Sequence, residues 1–206
     1  MNSFSKRNDM KFLRNNFSTQ NKLGIPMIIN QNIDISDTDL IAVSNIKAND
    51  LKNRNKAVHF FVDDYRFEKY YSYPEKYIKW LKQYAYVLSP DFSLYAEMPV
   101  WRQIESVCKN RWCGAYWQSK GIKVIPTVSW GLSNTFDFCF EGIEKNSIVA
   151  IGMIGCKSSK TRFMNGYNEM LNRLEPEAIL CYGTPFSEMK GNLIKFDYKK
   201  LNKYGR

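Results

Sequence analysis

Five short apolar runs, opening at Val58, Tyr86, Lys123, Ile148 and Ala178, alternate with stretches of helical periodicity. Strict alternation of strand and helix leaves few folds open. A helical crossover brings the chain back to the same end of the sheet, so successive strands run parallel. The runs VHFFV at 58–62 and SIVAIGMI at 147–154 are almost wholly apolar, as befits strands covered on both faces. The strands follow one another without a switch signature. The expected fold is therefore α/β: repeated strand-helix units with a mainly parallel sheet, curled into a partial or distorted (βα) barrel. An open doubly wound sheet is the alternative. At 206 residues the chain is short for a full eight-stranded barrel of about 250 residues.

The helical stretches carry their own signals. Pro74 opens a helix that sets Tyr77, Trp80, Leu81 and Tyr84 on one face. A long helix over 99–120 puts Trp101, Ile104, Val107, Cys108, Trp112 and Tyr116 inward, with Arg102, Lys109, Arg111 and Lys120 on a basic outer side, and Gly121 stops it. A third covers 162–174, with Phe163, Tyr167, Met170, Leu171 and Leu174 at helical spacing. Residues 24–30 read as a first or edge strand, and 122–129 as a strand in which Pro126 marks a bulge or an end. A last strand is expected within 192–198. The domain plan is a basic flexible arm or short docking helix over 1–22, one α/β domain over 23–198, and a basic tail over 199–206.

Charge narrows the partners. The formal net charge is +10, and such a surplus suits a polyanion, nucleic acid (DNA above all). Ordinary solvated lysines are the plainer reading. No run of about 18 apolar residues occurs, so no membrane span is expected. The basic N-terminus lacks the apolar stretch of a signal peptide, which places the chain in the cytoplasm. The five cysteines are odd in number and do not suggest a disulfide framework. The single histidine, His59, lies inside a strand and reads as a core residue. One histidine also makes a zinc site a poor fit, and no cofactor is evident, although paired carboxylates leave a divalent metal possible.

In either architecture, chemistry belongs at the carboxyl ends of the strands. Those ends carry Asp63-Asp64-Tyr65-Arg66, Asp91-Phe92-Ser93, then Thr127, Ser129 and Trp130, then Gly155-Cys156-Lys157, then Gly183-Thr184. Asp63, Asp64 and Asp91 are the candidate catalytic residues, as acid and base or around a metal. Capping of the following segment is the competing role for them. Arg66, Arg102, Arg111, Trp130, Lys157, Ser158 and Lys160 are candidates for binding phosphate or nucleic acid. Gly155 and Lys160-Thr161 have phosphate-loop spacing, but Ser159 stands where that motif has Gly, so the segment suits simple anion binding better. Cys156, before a helix start, has a position that can lower a thiol pKa. Tyr65, Phe67, Tyr70, Tyr71 and Tyr73 form either a base-stacking surface or a lid on the core.

The segments HFFVDDYRFE, LSPDFSLY, NRWCGAYWQSKGIKVIPTVSW and FDFCFEGI together resemble the domain of unknown function 4417 family, over residues 24–183. That resemblance implies a protein of phages, plasmids or other mobile elements, with a role in replication, copy-number control or conflict with the host. Three functions follow as expectations: a DNA-associated replication or copy-control protein, an enzyme acting on nucleic acid or a nucleotide through the aspartates, or an interaction module that binds a protein through the loop at 65–73.

Overall fold

The computed structural model describes residues 3–198. Seven short strands run in chain order: β1 (Leu40–Ala42), β2 (Ala57–His59), β3 (Tyr86–Leu88), β4 (Val124–Ile125), β5 (Val149–Gly152), β6 (Ile179–Tyr182) and β7 (Leu193–Phe196). The first four form one sheet and the last three another, and every pairing is parallel. The seam between the sheets lies at Pro126. Having no N–H, it cannot continue the ladder of β4. Its carbonyl instead accepts from Ala150 N (2.9 Å), Val128 N donates to Ala150 O (2.8 Å), and Thr127 makes a parallel bridge with Ala150. Strand order therefore follows the chain from end to end, with no reversal of the kind a doubly wound sheet requires.

Side-chain alternation explains the curl. Val58, Val87, Val124, Val149, Ile151, Ile179 and Cys181 face outward into two helix-covered cores. Ala57, Leu88, Ile125, Ala150, Leu180, Tyr182 and Phe196 face inward into a third core made by the sheet alone. The inner face packs on itself: His59 of β2 meets Tyr182 of β6 at 4.6 Å between ring centroids, and Phe61 stacks on the same ring at 4.8 Å. A fully buried leucine, isoleucine or phenylalanine of this core contributes about 1.5–3 kcal/mol. β1 and β7 are not paired, so the barrel stays open.

The helices are α1 (Ser3–Arg7), α2 (Met10–Leu13), α3 (Glu68–Ser72), α4 (Pro74–Leu81), α5 (Val100–Ser119), α6 (Phe136–Cys139) and α7 (Lys160–Leu174). Helices α3 to α5 cover β2, β3 and β4, while α7 covers β5 and β6. Several expectations are corrected. Residues 24–30 form no strand and make one bridge, Ile28 to Ile143. Trp101 is 65% exposed rather than inward, and Arg111 is buried rather than on a basic outer side. The N-terminal segment rests on the body. Arg14 lies over Tyr71 and Trp112 at 4.1 and 3.9 Å, Phe17 meets Trp112 edge-on at 6.0 Å, and Lys11 pairs with Glu75. The basic tail over 199–206 lies outside the described residues. Among the described residues no helix is long and apolar enough to cross a membrane.

Candidate active site at the strand ends

The carboxyl ends of the strands surround a cleft of ≈ 730 Å³. Asp91 reaches it because β3 stops at Leu88 and Ser89-Pro90 carries the chain past the sheet. That turn is held from α5. The Asn110 side chain accepts from Ser89 Oγ (2.8 Å) and donates to the carbonyls of Pro90 (2.7 Å) and Thr127 (3.2 Å). Arg111 donates to Asn110 Oδ1 (2.6 Å) and to the carbonyls of Thr127, Cys139 and Glu141 (3.1, 2.8 and 2.9 Å). Ser89 and Thr127 exchange two further bonds. The loops after β3 and β4 are thus locked together, and with them Asp91 and Ser129.

The Asp91 carboxyl is half-buried on the cleft wall, hydrogen-bonded to Ser129. Burial, and secondly the charge of Asp64, push its pKa up from 3.8 to about 7. Gly152 lies beside it and makes room for Phe61: a Cβ there would stand 3.0 Å from the Phe61 ring, with Asp91 Oδ2 at an ordinary contact distance of 3.7 Å. Asp64 accepts from the backbone N–H and the hydroxyl of Ser93, at 3.1 and 2.9 Å, and the Tyr95 hydroxyl lies 3.2 Å from Ser93 Oγ. Asp63 is exposed and sits 3.6 Å from Arg66 Nε. Arg66 is the one cationic side chain among the described residues that line the cleft. Two carboxyls, Asp91 with its raised pKa and Asp64, therefore share one wall, an arrangement suited to acid–base chemistry. No group of three or more His, Cys, Asp or Glu side chains among the described residues is placed to hold a metal ion.

The other candidates separate. Trp130 lines the cleft, its indole N–H 3.2 Å from Phe163 O and its ring over Gly166. Lys157 and Ser158 are exposed on the loop before α7 and do not line the cleft, and Lys160 pairs with Glu188. Arg102 borders a smaller groove of ≈ 180 Å³ that shares Asp64 and Phe92 with the cleft, and it pairs with Glu105. Arg111 is 2% exposed with its donors on backbone carbonyls and Asn110, so it fixes the floor and does not meet phosphate. Burial, with Asp91 nearby, pushes the Cys156 thiol up to about 11, so this thiol is not activated. His59 is buried, its Nδ1 accepts from Phe61 N (3.2 Å), and burial lowers its pKa to about 3, which keeps it a neutral core residue. Phe67 and Tyr70 are core, whereas Tyr65 and Tyr73 are exposed. Asn110 was missed in the sequence. The signal available was a polar pair, Asn110-Arg111, on a helix whose 104, 107, 108, 111 spacing faces inward.

A family model described as a domain of unknown function (DUF4417) matches residues 17–199. The chain belongs to that family. The match extends the 24–183 span of the sequence resemblance at both ends, taking in the Phe17 that packs on Trp112. Two similar proteins come from phages. The Gene 1 protein of Mycobacterium phage L5 is 50% identical over 130 residues, 62% of this chain and 57% of that protein. The Gene 1 protein of Mycobacterium phage D29 is 47% identical over 130 residues, 62% of this chain and 48% of its own length. The chain thus spans about half the length of these curated relatives. No solved structure matches. This DUF4417 chain is accordingly a member of a phage-associated family.

Proposed function

We propose that the protein is an enzyme that cleaves or transfers a glycosidic bond in a nucleotide or nucleic acid. The observation that carries this reading is the pair Asp91 and Asp64 on one cleft wall, the first with its pKa raised to about 7. Glycosidic cleavage develops positive charge at the anomeric carbon, which a carboxylate stabilises. In this reading the C–N or C–O bond to the leaving group breaks and Asp91 gives its proton to the departing atom. Water adds to the anomeric carbon and loses its proton to Asp64. Asn110 and Arg111 act at one remove, as positioning residues for Asp91.

The test is release of base or sugar from a panel of nucleosides, nucleotides and oligonucleotides across pH. Activity should need Asp91 protonated and so decline above about pH 7, and Asp91→Asn and Asp64→Asn should each abolish it. Full turnover in both variants would refute the reading. The net charge of +10 favours a second reading, a DNA-bound protein of phage or plasmid replication or copy control without chemistry of its own. Its signature is DNA affinity that falls steeply with salt in parent and aspartate variants alike.

A further inference from the structure

The cleft and the chain as a whole differ in sign. The chain as a whole carries +10, yet the cleft is lined by Asp63, Asp64 and Asp91 against a single Arg66, which lies beside Asp63. A phosphate is drawn to such a protein but not into such a cleft. What the cleft offers instead is flat apolar surface and hydrogen-bond acceptors. Trp130 forms part of the wall, and Tyr95 and Tyr198 stand at the mouth, 61% and 44% exposed. The volume of ≈ 730 Å³ suits one nucleoside and not a duplex. The smaller groove next door, which shares Asp64 and Phe92, offers phosphate no more: its Arg102 and Lys109 are paired with Glu105 and Glu68.

We infer that the cleft takes a single base turned out of a nucleic-acid strand, held against Tyr95 and Trp130 with its amino groups toward the aspartates, while the strand's phosphates remain outside the cleft. This deepens the glycosidic reading above and rests on it for the chemistry, but the binding geometry is testable without turnover. Extruding a base is the general means by which an enzyme reaches a sugar–base bond in a strand, and aromatic faces are what receive it.

The experiment uses the full chain carrying Asp91→Asn, which removes the proposed proton donor. A labelled single-stranded 12-mer and an all-abasic strand of equal phosphate number are titrated at two salt concentrations, with 2-aminopurine fluorescence reporting unstacking. The base-bearing strand should bind at least tenfold tighter with the same salt slope, 2-aminopurine should brighten on binding, and Tyr95→Ala should cut the preference several-fold. Tyr95 is exposed, so the variant keeps its fold. Equal affinity for the two strands, an unchanged preference in Tyr95→Ala, or no binding of either strand overturns the inference. Aspartate-dependent turnover of free nucleosides without strand preference would overturn it while the glycosidic reading stands. Base-dependent binding by a protein with no turnover would do the reverse.

Discussion

Asp91→Asn should stabilise the protein while destroying its activity, and the gain should depend on pH. The folded state holds the Asp91 pKa near 7 against an ordinary 3.8, mainly through burial. The raised value means that the folded state binds the proton more tightly than the unfolded chain does. Its contribution to stability is therefore complete below about pH 4 and is lost as pH rises through 7. From 3.8 to about 7, at 1.36 kcal/mol per pH unit, the loss amounts to about 4 kcal/mol. The carboxyl borders an open cleft, and water there recovers part of it, leaving an expected gain of about 2 kcal/mol for the asparagine variant at pH 8. Asparagine is nearly isosteric with the protonated acid and can still accept from Ser129, so at pH 4 the two proteins should agree within about 0.5 kcal/mol. For a chain of this size the pH 8 gain is a rise in Tm of roughly 4–8 °C. Urea unfolding at the two pH values reads it directly. An asparagine variant less stable than the parent at both values, or a difference that ignores pH, would show that Asp91 is a structural cap and refute the reasoning.

Two further outcomes follow from the same wall. Arg111→Ala removes the guanidinium that donates to Asn110 and to three backbone carbonyls and leaves those acceptors buried, so it should cost on the order of 4–5 kcal/mol in chemical unfolding; a loss below about 1 kcal/mol would show that the network is not structural. Gly166→Ala puts a Cβ 2.1 Å from Trp130 Cδ1, so the indole must move: despite alanine's better helix propensity the variant should lose about 1–3 kcal/mol, and its tryptophan emission should shift.

Much of the architecture was legible because it rests on local periodicity. Apolar runs of strand length, a Pro at the start of α4 and Gly121 after α5 each act within a few residues. Direction followed from connectivity, since helical crossovers force parallel strands, whereas strand order, left open between a curled barrel and a doubly wound sheet, was decided by the fold. Legibility failed where a residue's role depends on what stands opposite it. Residues 24–30 have strand composition, but apart from the one bridge of Ile28 with Ile143 their backbone groups bond to loops and side chains, Ser18, Asn21 and Gln118 among them, and not to a neighbouring strand. Arg111 carries the charge of a phosphate ligand, yet its helical phase turns it into the core, where carbonyls replace water around it.

The amino-acid sequence by itself determined the α/β class, the parallel direction of the strands and the rim on which Asp63, Asp64 and Asp91 lie, because hydrophobic period and chain connectivity are short-range properties; the order of the strands came from the tertiary structure. Only the tertiary structure decided that Asp63 turns to solvent beside Arg66, that Asp64 and Asp91 share one wall, and that Asn110 and Arg111 hold that wall from behind. The proton affinity of Asp91 depends on the solvent removed from it and on the charge placed near it, and both come from residues far apart in the chain.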